Sequence, residues 1–163
     1  MKQLLLFLAL NLFVFKSYSQ YDQRHEVRLD ALAVMILPAI DVAYEYTVSE
    51  NSGLGMQSFF RLSEADKDVY QKFSIAPYYR QYFFDNLTLG DKGFFIETLL
   101  NYSIYKNDDN LEELGIGFGG GAKWTLSNGF IMEANAGAGR NFKLSSETPD
   151  FFFNWGVSLG YRF

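Results

Sequence analysis

From His25 onward, apolar and polar side chains alternate with a period of two in runs of about ten residues, broken by polar or Gly-containing segments, and no stretch sustains a 3.6-residue period. Eight such runs are readable: His25 to Ile36, Ala39 to Tyr46, Gly53 to Arg61, Val69 to Phe84, Gly93 to Lys106, Leu114 to Leu126, Gly129 to Phe142 and Phe151 to Phe163. In Leu114 to Leu126 the even positions are Leu114, Ile116, Phe118, Gly120, Ala122, Trp124 and Leu126, against Gly115, Gly117, Gly119, Gly121, Lys123 and Thr125. The last run separates Phe151, Phe153, Trp155, Val157, Leu159, Tyr161 and Phe163 from Asn154, Gly156, Ser158, Gly160 and Arg162, with Phe152 the bulky exception. A strand built from either run has one apolar and one small or polar face. The pattern predicts an all-β chain: an eight-stranded antiparallel up-and-down barrel.

An even strand count places both chain ends on one side and divides the connections into two series. One series is Thr47 to Ser52, Asp85 to Lys92 and the tight Ser127-Asn128 turn. The other is Leu37-Pro38, Leu62 to Asp68, Asn107 to Glu113 and Asn141 to Asp150, of which three are acidic. Short turns on one side and longer polar loops on the other match a membrane barrel with its loops outside, although Asp85 to Lys92 is long for an inner turn.

Volume decides which face is inside. The apolar parity carries Tyr44, Phe60, Phe94, Phe118, Trp124, Phe153, Trp155 and many aliphatics, more than the narrow interior of an eight-stranded barrel holds. Facing outward they fit lipid, with aromatics gathered at both strand ends as interfacial girdles. The opposite parity then lines the lumen with Arg28, Asp30, Asp41, Glu45, Arg61, Lys72, Arg80, Glu97, Lys123, Glu133 and Arg162. Such near balance of sign predicts a salt-bridged plug in place of a water-filled channel. Glycines at 115, 117, 119, 121, 137 and 139 leave room for long side chains from the opposite wall, and Phe152 caps the outer mouth.

Composition narrows the classes further. The 163 residues are 48% hydrophobic and 18% aromatic with no Cys, which excludes disulfides, thiolate metal sites and a catalytic thiol. Lys2, the apolar run Leu4 to Phe15 and the small residues around Ser17 to Ser19 form an export signal, residues 1–19, with cleavage between Ser19 and Gln20. Residues 20–163 are then the barrel domain. Loss of Lys2 and Lys16 leaves 12 basic against 19 acidic residues, a net charge of −7, which argues against nucleic acid as a partner.

No catalytic residue, cofactor or metal ligand is assigned. Gly115-Ile116-Gly117-Phe118-Gly119-Gly120 matches G-x-G-x-x-G, but that motif binds a dinucleotide only where a helix follows, and here a strand continues. His25, the single histidine, sits at the start of the first strand, away from the outer rim. Glu97 and Glu133 are read as partners of lumenal bases, not as a general acid/base pair. The loop acids Asp108, Asp109, Glu112 and Glu113, with Glu64, Asp66, Asp68, Glu147 and Asp150, fit no calcium-loop spacing and are read as solvated.

With its signal peptide, period-two strands and terminal Tyr161-Arg162-Phe163, the chain resembles the small eight-stranded outer-membrane proteins of the OmpA-transmembrane, OmpX and OmpW type. The resemblance implies an outer-membrane location and contact with membrane lipid and lipopolysaccharide. It also implies insertion by the barrel-assembly machinery through the last strand, with Tyr161 and Phe163 as the assembly signal. It implies no particular activity. The first functional reading is a non-enzymatic envelope protein, structural or engaging an extracellular partner through its acidic loops. A porin-like barrel passing small solutes or hydrophobic compounds is the alternative, with a soluble secreted ligand-binding barrel or a lipid-modifying enzyme behind it. Deletion of Phe163 is expected to lower the yield of assembled barrel in the outer membrane, measured by fractionation and immunoblot; undiminished yield would count against the assembly role.

Overall fold

The structure, a computed structural model, describes residues 24–63, 70–83, 93–106, 110–142 and 148–163. The predicted signal peptide and its Ser19/Gln20 cleavage site lie outside the described residues. Eight strands form one closed antiparallel barrel in chain order: β1 (His25–Asp30), β2 (Ala39–Ser49), β3 (Ser52–Arg61), β4 (Tyr70–Phe83), β5 (Phe94–Lys106), β6 (Asn110–Thr125), β7 (Phe130–Asn141) and β8 (Phe151–Arg162), with β8 pairing back onto β1. Closure pairs β1 with β8, which would be the two free edges of an open sheet. Strands β2 and β4 to β8 are 11 to 16 residues long, β3 is 10, and β1 is only 6.

The outer face is apolar. Val27, Leu54, Ile96, Phe118, Phe153, Trp155, Leu159 and Tyr161 are all exposed, whereas their polar-parity neighbours Arg28, Glu97, Ser158 and Arg162 are buried inside. Aromatic residues gather at both ends of this face: Tyr46, Phe83, Phe94, Tyr161 and Phe163 at the end carrying the last strand's terminus, and Phe60, Phe142, Phe151 and Phe153 at the other. We call these the terminal end and the loop end.

Three expectations change. The predicted first strand His25 to Ile36 stops at Asp30, and Ala31–Ile36 is a helix, α1. The Asp30 carboxylate accepts from the Ala33 backbone N–H at 2.9 Å, capping the first turn. The sequence ALAVMI has no period-two contrast and contains good helix formers, while Leu37 N–H donates to the Ala33 carbonyl at 3.2 Å just before Pro38 ends the turn. Second, the predicted loop Asn107 to Glu113 is shorter, because β6 begins at Asn110 and carries Glu112 and Glu113 on strand. Glu113 is fully buried and accepts a hydrogen bond from Thr148. It is therefore not a loop acid. Third, the pairing of β4 with β5 shifts between Gln71 and Phe73, a bulge at Lys72. The extra residue turns Lys72 outward, where it is exposed, and it leaves the lumenal set to which parity assigned it.

The turn after β6 places Gly129 at φ +87°, a conformation that favours glycine, with its N–H on the Leu126 carbonyl at 2.9 Å. The lumenal glycines have a more general role. An added Cβ at Gly115, Gly117 or Gly139 would meet the Phe152 ring, one at Gly119 the Glu97 carboxylate, and one at Gly121 the Phe95 ring. The space is taken by side chains of β5, beside β6, and of β8, beside β7, not by ones reaching from the far wall. Phe152 packs with Ala76, Tyr78 and Leu99 as a small apolar layer across the barrel. Gly139→Val is expected to cost about 1–3 kcal/mol of unfolding free energy in urea titration of the refolded protein. Adding Phe152→Ala should recover part of it; an unchanged midpoint for Gly139→Val would mean the ring has room to move.

Candidate functional site

Below the Phe152 layer, toward the terminal end, the lumen is filled by an ionic cluster. Arg28, Arg80, Lys123 and Arg162 meet Glu26, Glu45, Glu97 and Glu133, and none of the eight is more than 5% exposed. Seven strands contribute, and β3 supplies space instead. A Cβ at Gly53 would run into Glu45, and one at Gly55 into the Tyr78 ring.

Glu45 is the hub. Its Oε2 accepts from Arg28 at 3.0 Å, from Arg80 at 3.2 Å and from the Tyr78 hydroxyl at 3.2 Å, while Oε1 accepts from Lys123 Nζ at 3.0 Å and the Tyr82 hydroxyl at 2.5 Å. Glu26 accepts from Lys123 at 2.6 Å, Arg28 at 3.1 Å and Arg162 at 2.9 Å, binding the first strand to the last across the closing seam. Glu133 lies 2.8 Å from Arg80 and 3.2 Å from Arg28, and Glu97 takes Arg80 Nε at 2.8 Å. Aromatic faces complete the enclosure: the Arg80 guanidinium sits 4.1 Å from the Phe95 ring centroid and 4.5 Å from that of Tyr78, and Lys123 Nζ sits 5.0 Å from that of Tyr82. Each charge has partners of opposite sign, the condition under which ions tolerate burial.

Of the lumenal residues named from parity, the structure brings Arg28, Glu45, Arg80, Glu97, Lys123, Glu133 and Arg162 together. Asp30 and Asp41 lie nearer the loop end, above the cluster, where Asp41 accepts from the Gln57 amide at 2.8 Å. Arg61 stands apart at the loop-end mouth, half-buried, donating to the carbonyls of Gln71 at 3.1 Å and Leu37 at 3.2 Å. Lys72 is outside. Glu26, Tyr78 and Tyr82 were missed. Glu26 shares the parity of Arg28 and could have been read from it, whereas the two tyrosines were hidden because an aromatic ring counts as apolar although its hydroxyl serves the cluster.

Among the described residues, the remaining candidates are spread over the lumen, strand β6 and the terminal end. Glu97 and Glu133 both hold Arg80, as partners of a base would. The G-x-G-x-x-G segment runs inside strand β6 with no helix after it. His25 is exposed at the terminal end, its Nδ1 2.7 Å from the Tyr44 hydroxyl and its ring stacked 5.9 Å from that of Phe163. Tyr161 and Phe163 face outward at the same rim, and Phe163 exchanges both backbone hydrogen bonds with His25, at 2.8 and 3.1 Å. Of the loop acids, Glu64, Asp66, Asp68, Asp108, Asp109 and Glu147 lie outside the described residues. Among the described residues no group of His, Asp and Glu is placed to hold a metal ion.

No protein-family model matches the chain, and no curated protein matches it in sequence. Among solved structures, the crystal structure of Neisserial surface protein A is similar, with a TM-score of 0.54 at 10% identity, covering 86% of this chain and 95% of that one. At that identity the likeness shows a shared fold and nothing finer.

Removing one member of the cluster leaves its partners charged, buried and uncompensated. Lys123→Met is expected to destabilise the folded barrel by about 3–5 kcal/mol, read as a lower urea midpoint at unchanged slope. Lys123→Met combined with Glu45→Gln should restore a substantial part, and a double variant no better than the single one would refute the pairing.

Proposed function

We propose that the protein is an outer-membrane β-barrel with a lumen sealed by buried ion pairs, serving a structural or interaction role in the cell envelope and performing no catalysis. One observation carries the reading: polarity is inverted relative to a soluble barrel, with eight paired charges inside and an almost unbroken apolar outer face. A soluble protein avoids exposing so large a contiguous apolar surface, and a bilayer requires it. Seven of the eight strands, at 10 to 16 residues, suffice to cross, since a tilted strand needs about 9–11, and α1 follows the 6-residue β1. Aromatic rims at both ends support an interfacial fit.

The fold shared with Neisserial surface protein A supports this setting. Membrane lipid and lipopolysaccharide are then the surroundings of the outer face, and the barrel-assembly machinery is the partner that receives β8 with Tyr161 and Phe163. The acidic loop end offers a surface for an extracellular partner.

Two measurements test the proposal together. The protein should fractionate with outer membranes and migrate differently on gels before and after boiling; a soluble fraction with no mobility shift would overturn the membrane reading. Folded protein in a planar bilayer should show no steady large conductance, and an open channel would refute the sealed lumen.

A further inference from the structure

The barrel wall is incomplete at one place. Pairing of β1 with β8 ends at Asp30 and Ser158, yet β8 continues paired to β7 as far as Phe151. On the other side of the gap, Ala39, Ile40 and Asp41 of β2 pair with β3 but reach past the last β1 partner, Leu29 against Val42. The loop-end half of the wall between β2 and β8 therefore has no strand. α1 occupies it, with Ala33 buried inward and Val34, Met35 and Ile36 exposed outward.

Behind α1 is a cavity of about 130 Å³, about ten times what a single water requires. Its lining includes the lumen-facing Phe152 and Asn154 and also the outward-facing Phe153 and Trp155, four consecutive residues of β8, so the cavity reaches the edge of this strand at the gap. Bare strand edges are not tolerated against hydrocarbon unless protein or a polar cavity covers them. The edge of β8 from Phe151 to Val157 borders this gap, and the space against it calls for a polar occupant. The charge of that occupant follows from the side chains. Asp30 and Asp41 line the cavity, are 5% and 9% exposed, and have no ion-pair partner among the described residues, in contrast to the four glutamates of the cluster below. Asp30 has one oxygen on the α1 cap and the other turned to Gly156, which has no Cβ to obstruct it. Arg61, the cation of this lining among the described residues, is engaged by two backbone carbonyls.

We propose that this lateral cavity binds a membrane amphiphile bearing a primary ammonium group. The ammonium sits between Asp30 and Asp41, with Asn154 Oδ1, which also accepts from Gln57 at 3.4 Å, as a further acceptor, and the chain leaves through the gap along Phe153 and Trp155. The proposal rests on the membrane reading for the source of the ligand, and binding involves no covalent change.

The test uses a Trp124→Phe protein, in which Trp155 is the remaining tryptophan, inserted into phosphatidylcholine nanodiscs. Brominated long-chain alkylamine, carboxylic acid and alcohol of one chain length are added separately, and quenching of Trp155 is measured. The amine should quench saturably, about tenfold more tightly than the acid or the alcohol, as expected for a charge-assisted contact. Asp41→Asn, which keeps an acceptor for Gln57, should bring the amine to the level of the alcohol with heat-dependent gel mobility unchanged. Equal quenching by all three compounds overturns the site, as does an amine preference that survives Asp41→Asn. The comparison of headgroups decides by itself should that variant fail to fold. A barrel that inserts but shows no headgroup preference refutes the site alone, whereas one that stays in the soluble fraction refutes the membrane reading as well.

Discussion

The structure depends on neutralising charge inside a cylinder too narrow to hydrate it. Closing eight strands leaves an interior only as wide as its own side chains, so any ion that points inward must find a counter-ion within a few ångströms. Glu45 meets this constraint for most of the lumen. With Arg28, Arg80 and Lys123 on one carboxylate and two tyrosine hydroxyls on the same oxygens, it joins β1, β2, β4 and β6 at one point. Burial of ions is a weak source of stability, because desolvation offsets most of the attraction. Its stronger effect is on register: a slip of one residue in any contributing strand would turn that strand's lumenal charges outward and its apolar side chains inward.

The glycines follow from the same constraint. A barrel interior of fixed radius accommodates a large residue only where a neighbour is small, and β3, β6, β7 and β8 supply those small positions opposite Glu45, Tyr78, Phe95, Phe152 and Arg28. The lumen is thus two layers, an ionic one toward the terminal end and the thin apolar plate of Ala76, Tyr78, Leu99 and Phe152 above it. Tyr78 belongs to both, its ring in the plate and its hydroxyl 2.5 Å from Arg28.

The strands were legible because inside and outside demand opposite chemistry, so every strand carries its address at alternate positions. Legibility failed where alternation failed. ALAVMI offers no contrast between its faces, and its conversion into α1 is decided by one capping carboxylate that precedes it. Lys72 was misplaced because a bulge adds one residue without leaving a mark on composition. Glu112 and Glu113 looked like loop because two adjacent acids rarely enter a barrel, although Glu113 continues the lumenal parity of Gly115 and Gly117. The ionic cluster was visible as a list of inward residues, but which base meets which acid depends on stagger between strands, and that is not written in any single run.

The short first strand has a further consequence. Of the eight ladders, the one joining β1 to β8 has five paired positions, as has the one joining β1 to β2, whereas β5 and β6 share thirteen. It is also the ladder with the greatest chain separation: Glu26 and Arg162 are 136 residues apart, compared with 17 for Arg28 and Glu45. Bringing the distant pair together costs about 2 kcal/mol more in chain entropy than bringing the near one. The largest loop in the molecule is thus closed by one of its two shortest zippers, and cooperativity of the whole cylinder is concentrated in a few rungs and one glutamate–arginine strap beside them.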